Sequence, residues 1–299
     1  MTATLTAPGP RQFLMLLALA VFWGTSFQFI KVAVETMPPL TLAAARIALG
    51  AAFLFAVLRL RGARLVVPGA RRGRMAVVAL VGTAGPLFLI AWGGARIDSA
   101  VSAIQLAITP LLVMMLAHIS LPDEKMTASR ALGVAFGFVG MALLIGPDAF
   151  AGFGAHVWGQ LAVMLAALGF AVSSVVARGL SAGDALANAT VVLIVSAAAT
   201  VPVALAIDRP WTLSPSGLSL AAVIWLGILP TAVATHIYLH LIATTGANFV
   251  TSLNYLSPPL GVLAGVLVLD DRLEPRMLIA MAVIMGGIAI AELGRLRRR

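Results

Sequence analysis

The chain has no cysteine and little charge: only 10% of its 299 residues are Asp, Glu, Lys or Arg. The missing cysteine excludes disulfides and thiolate metal sites and leaves the redox compartment unspecified. The shortage of charge excludes an ordinary soluble domain, in which charged residues make up about a quarter of the total. No His-Glu-x-x-His and no Gly-x-Ser-x-Gly occurs, so neither a zincin-type metal site nor a nucleophile elbow is expected, and an enzyme is not the reading. A channel is disfavoured too, because no filter sequence and no charged pore ring is visible. All eleven carboxylates (Glu35, Asp98, Asp123, Glu124, Asp148, Asp184, Asp208, Asp270, Asp271, Glu274 and Glu292) fall between the long apolar runs or at their ends. That argues against coupling through an intramembrane carboxylate.

What fills the chain is apolar: hydrophobic residues make up 61%, with a mean hydropathy of +1.04. Helices are expected at 13–30, 40–58, 75–92, 99–119, 130–146, 157–176, 187–207, 218–242, 247–269 and 277–293. Each run is near the roughly 20 residues a helix needs to span a bilayer. The runs do not alternate polar with apolar, so a membrane β-barrel is excluded and the expected fold is an all-α integral membrane protein. The first run is longer than a signal-peptide core and is read as a retained helix.

The chain also repeats itself at a shift of 147 residues. Leu14 falls on Leu161, Ser26 on Ser173, Ala100 on Ala247, Asp123 on Asp270 and Gly140 on Gly287. Each half, 1–147 and 148–299, holds five apolar runs, and the second half ends in a basic tail. Five is odd, so a duplicated half must cross in the opposite sense from its twin. Two inverted five-helix repeats, ten membrane helices in all, are the architecture of secondary transporters with a site near the midplane.

Charge sets the expected orientation. With the N-terminus inside, fourteen basic residues fall in inner segments, among them Arg59, Arg61, Arg64, Arg71, Arg72, Arg74 and the terminal arginines. Only Lys31, Arg96, Arg209, Arg272 and Arg276 fall outside. This is the positive-inside bias, with both termini cytoplasmic. It accounts for the net charge of +9 without nucleic acid as a partner. A small solute and the lipid bilayer are the expected partners, with the chain a monomer or weak homodimer.

The helix starts resemble a known family. Phe22-Trp23-Gly24-Thr25-Ser26-Phe27 with Lys31, then Ala45-Arg46-Ile47, then Thr109-Pro110-Leu111 with Pro122-Asp123-Glu124-Lys125 follow the pattern of EamA-type carriers. These belong to the drug/metabolite transporter superfamily. The second half repeats it as Leu256-Ser257-Pro258 and Leu269-Asp270-Asp271-Arg272. Two positions depart: Asp271 stands where the family has glutamate, and Leu193 stands where Arg46 would recur. The resemblance implies a ten-helix inner-membrane exporter of amino acids, other metabolites or drugs. In length and loop pattern the chain is most similar to the YddG-type aromatic amino-acid exporters, with a multidrug exporter as the alternative.

Candidate solute-binding residues are the polar and aromatic side chains within the spans: Trp23, Ser26, Trp92, Gln105, Ser173, His236, Asn254 and Tyr255. An unsatisfied polar group facing lipid costs several kcal/mol, so these must face protein or water. Arg46, a permanent charge within a span, reads either as an anchor for its helix or as the partner of an anionic group. His236 and His240 share a helix face but lack the further ligands a metal needs, so no metal and no cofactor is expected. Pro86, Pro110, Pro230 and Pro258 interrupt long spans and are the expected hinges, with Pro110 and Pro258 at near-matching places in the two halves. Gly133-x-x-x-Gly137 and Gly261-x-x-x-Gly265 read as packing stripes, open to subunit contact.

Overall fold

The computed structural model describes residues 9–63, 65, 69–121, 126–145, 155–177, 185–245, 247–250 and 253–296. Among the described residues there is no strand. The rods are α1 Pro10–Val34, α2 Pro39–Leu60, α3 Arg72–Gly94 and α4 Ser99–Ser120. After them come α5 Ala128–Ile145, α6 Ala155–Ala177, α7 Ala185–Ile207 and α8 217–245. Last are α9 Leu253–Leu269 and α10 Pro275–Leu296, with a short turn Ala247–Val250 ahead of α9. Seven of them, α1 to α4 and α6 to α8, are long and apolar enough to cross a membrane. The apolar parts of α5, α9 and α10 (Ala128–Leu144, Leu253–Leu269 and Pro275–Ala291) reach only about 25 Å at 1.5 Å per residue. A hydrocarbon core is about 30 Å thick.

The surface of the bundle carries bare leucine, with Leu218 75%, Leu267 72% and Leu14 68% exposed. The polar side chains Gln28, Arg46, Gln105, Thr190 and Ser196 are buried within it. That inversion of the usual distribution is stable in lipid and not in water. The protein is a multi-pass membrane protein.

Several rods are interrupted. α1 pauses at Thr25, and α4 at Ala107 and Ile108, where Pro110 restarts it. α3 and α8 each widen into a π turn, Leu80–Ala84 and Gly227–Val233. The first residues of the two π turns are 147 positions apart, the spacing of the sequence self-match. Pro86 follows the first π turn and Pro230 lies inside the second. Pro258 lies with Pro259 inside α9, which is helical on both sides of them.

Hydrogen bonds gather one set of helix ends. Lys31 Nζ donates to Ile97 O at 2.9 Å, and Thr36 Oγ1 to Ser219 Oγ at 2.7 Å. Asp208 Oδ2 accepts from both Thr41 N and Thr41 Oγ1, at 2.9 and 2.7 Å. The ends of α1, α3 and α7 therefore meet the starts of α2, α4 and α8. Asp208 places its charge at the positive end of the α2 dipole. Phe13, at the start of α1, packs edge-on against Phe249 with centroids 5.1 Å apart.

α5 and α10 lie flush. A Cβ on Gly133 would come within 2.5 Å of Gly287 O, and one on Gly137 would strike Leu111. The first glycine stripe is thus filled by this chain's own helices, and its subunit-contact reading finds no room.

Candidate functional site

The site grows from Pro230. Proline lacks an N–H, so the carbonyl of Leu226, four residues earlier, loses its usual helical donor. The backbone widens there into the π turn, and Thr231 Oγ1 donates to Leu226 O at 2.7 Å. Arg46 Nε, from α2, donates to the same hydroxyl oxygen at 2.7 Å. Arg46 is 5% exposed and its guanidinium is always charged. Among the described residues no carboxylate lies within ion-pair reach of it. The carbonyl of Pro230 turns to α1, where Trp23 Nε1 donates to it at 3.0 Å. The Trp23 ring lies 5.4 Å from the ring of Tyr238, eight residues beyond Pro230 on α8.

Two neighbouring helices thus reach adjacent residues of α8: the Arg46 cation of α2 bonds the Thr231 hydroxyl, and Trp23 of α1 bonds the Pro230 carbonyl with its ring against Tyr238. A small-residue contact holds the backbones close: a Cβ on Gly227 would lie 2.8 Å from Leu49 Cβ and 3.0 Å from Arg46 O. The cation suits an anionic group, and the two rings suit an apolar body or a second cation.

Of the residues singled out in the sequence, Trp23 and Arg46 meet at this point. Ser26 is buried, but its hydroxyl returns to Phe22 O at 2.6 Å in its own helix. Trp92 lies beneath the Arg96 guanidinium, 3.5 Å from the ring centroid. Gln105 is fully buried on α4 and donates to Gln160 Oε1 at 3.4 Å, while its own Oε1 has no hydrogen-bond partner among the described residues. Ser173 presses on Gly82 in the first π turn. His236 is half-buried with its ring 6.4 Å from that of His240. Asn254 and Tyr255 are half-buried in the first turn of α9, with Tyr255 against the apolar cluster of α4 and α10.

Sequence reasoning passed over Thr231, Tyr238 and Gln160. A signal for Thr231 was present: a proline within a span orphans a carbonyl, and a hydroxyl beside it is the cheapest replacement donor. Tyr238 is one of only two tyrosines, but nothing local distinguishes it from a packing residue.

Known proteins resemble this chain over nearly its whole length. The model of the EamA-like transporter family matches twice, over residues 11–146 and over residues 157–293. The inner membrane transporter YedA of Escherichia coli (strain K12) is 26% identical over 94% of this chain and 90% of its own length. A protein of Streptantibioticus cattleyicolor described as "Probable terminal-alkyne amino-acid exporter" is 25% identical over 95% of this chain and 94% of its own. A crystal structure superposes with a TM-score of 0.71 at 22% identity, covering 98% of this chain and all of that one. At that identity the likeness is one of fold.

Proposed function

The chain belongs to the EamA-like transporter family, and we propose that it exports small amphipathic metabolites, apolar and aromatic amino acids first, by alternating access. It is a transporter and not an enzyme. The observation that carries the substrate reading is the pairing of Arg46 with the Thr231 hydroxyl beside the Trp23–Tyr238 rings. An amino acid of this kind offers a carboxylate for the guanidinium and an apolar side chain for the rings. Its ammonium group needs neutral acceptors, which the Pro230 carbonyl region and helix-end dipoles supply. The amino-acid cargo of the Streptantibioticus relative supports the same class.

The architecture that goes with this reading is ten membrane helices in two inverted repeats, 1–147 and 148–299, with both termini cytoplasmic. The doubled family match and the matched π turns support the duplication. Inversion is what five crossings per repeat require. In this frame the ends of α1, α3, α7 and α9 face outward, Pro86, Pro110, Pro230 and Pro258 are hinges, and the protein works as a monomer or weak homodimer.

The test is uptake into proteoliposomes. Labelled phenylalanine or leucine should enter with saturable kinetics and exchange between pools. Vesicles that move a cationic drug but no amino acid would replace this reading with multidrug export.

A further inference from the structure

We propose that Asp271 is the latch that holds the outward end of the transport path closed, by tying α9 to α4. The inference rests on the alternating-access reading above. Asp271 is the second residue past the end of α9. Asp270 turns the chain in a left-handed conformation, φ 54°, and Asp271 N–H returns to Gly265 O at 3.2 Å. That fixes the backbone of Asp271 to α9. Its side chain goes elsewhere: Oδ2 accepts from the Ser99 hydroxyl and from Ala100 N at 3.0 Å, both in the first turn of α4. A carboxylate at the positive end of a helix, with two donors, makes a strong polar tie.

The tie is continued into α1. Gln28 Nε2 donates to Ser99 Oγ at 3.2 Å and to Gly261 O at 2.8 Å. Three helices thus close on one polar knot of Asp271, Ser99 and Gln28. Beneath it the contact is smooth. A Cβ on Gly261 would lie 2.7 Å from Ala103 Cβ and 3.1 Å from Gly24 O, and one on Gly265 would lie 2.8 Å from Ser99 Oγ. Gly261 and Gly265 are four apart, so they share a face of α9. A face without knobs can part from its neighbour without dragging side chains through one another, so what holds it is the polar knot.

Both partners are also jointed. The segment Ser99–Leu106 is separated from the rest of α4 by the break at Ala107 and Ile108. Pro258 and Pro259 remove two adjacent backbone donors from α9. Finally, the closed end buries Gln28 Oε1 without a hydrogen-bond partner among the described residues. Water entering on opening would satisfy it, which weighs against the latch and keeps the two states comparable in energy.

Asp208 provides the contrast. It caps α2 through Thr41 in the same chemistry, but α2 and α7 pack together along their apolar lengths, through Leu54, Leu58, Leu186 and Leu193. That cap joins helices already bound, whereas Asp271 joins helices meeting on a glycine face.

The chain has no cysteine, so a single one reports cleanly. Ser102 is buried on α4 one turn below Ser99, and Ser102→Cys is close to isosteric. In right-side-out vesicles a membrane-impermeant maleimide should label Ser102→Cys slowly, and about tenfold or more faster once Asp271→Asn is added, the weight of a charge-assisted hydrogen bond. Asp208→Asn should leave the rate unchanged. Gly265→Ala, whose Cβ would meet Asp271 Oδ2 at 2.6 Å, should accelerate labelling with the carboxylate intact, and it serves if Asp271→Asn fails to fold. Unchanged labelling in both variants would overturn the latch, as would acceleration only in inside-out vesicles. Labelling needs no substrate, so a chain that shows the acceleration but moves no amino acid refutes the proposed cargo and leaves the latch standing.

Discussion

The two π turns are the same backbone device used twice, yet only one carries charge. In each a threonine hydroxyl reaches back five residues, Thr83 to Val78 O at 3.3 Å and Thr231 to Leu226 O at 2.7 Å. Around the second turn stand Arg46, Trp23 and Pro230. At a shift of 147 their counterparts are Leu193, Phe170 and Thr83. Leu193 is buried among the apolar residues joining α2 and α7, and Ala84 takes the place of Thr231. The two halves thus carry equivalent π turns, and the cation and the indole stand at one of them. On the proposed function, symmetry serves what moves and asymmetry serves what binds, because one amino acid has one carboxylate.

The largest expected effect breaks this asymmetry. Arg46→Ala removes the cation and leaves the Thr231 oxygen without its donor. Loss of a hydrogen bond to a charged group is worth about 1.5–3 kcal/mol. The KM for an amino acid should rise between about tenfold and a hundredfold, while Leu193→Arg should not restore it. Uptake kinetics in proteoliposomes measure both. Next in size is Thr231→Val, which keeps the shape and strips the hydroxyl. It orphans the buried Leu226 carbonyl at a cost of about 1–3 kcal/mol. Thr83→Val should cost less, since its bond is long and half-exposed. The difference between the two melting temperatures in detergent is the measure of the asymmetry.

Much of the fold was legible because lipid allows few solutions. Apolar runs of bilayer length have to be helices, and Pro86, Pro110 and Pro230 mark interruptions that the structure shows. The self-match at 147 anticipated the spacing of the π turns. The site was less legible because it depends on which side chain a helix turns toward which neighbour. Ser26 and Trp92 sit at sensible depths, but one hydroxyl bonds its own helix and the other ring lies under Arg96. Asp271 was visible only as a departure from the family's glutamate. What it touches depends on the turn at Asp270, and no periodicity encodes that contact.

A smaller effect tests whether the first π turn is only a packing joint. Gly82 faces Ser173 with no room between them, so a Cβ there would collide with the serine side chain. Gly82→Ala should destabilise by about 1–3 kcal/mol, the usual cost of overpacking. Ser173→Gly in the same chain should restore the melting temperature, because it moves the missing volume across the contact. Solute affinity should be the same in the double variant as in the parent. An altered affinity would mean that Ser173 touches the solute and that binding is spread over both turns.

Trp23→Phe gives the finest comparison. It keeps an aromatic ring near Tyr238 but removes the indole N–H that Pro230 O accepts at 3.0 Å. A neutral hydrogen bond is worth about 0.5–1.5 kcal/mol net, so KM should rise only a few-fold, well below the effect of Arg46→Ala. Its counterpart Phe170 already lacks that N–H, and Thr83 in place of Pro230 keeps its own backbone donor. Thr231 meets the need that proline created at Leu226 O, and the indole adds a second tie, to the carbonyl of the proline itself, in the turn that holds the charge. If Trp23→Phe leaves KM unchanged while Trp23→Ala raises it, the ring alone acts on the solute. The Pro230 contact is then packing, and the asymmetry between the turns reduces to Arg46.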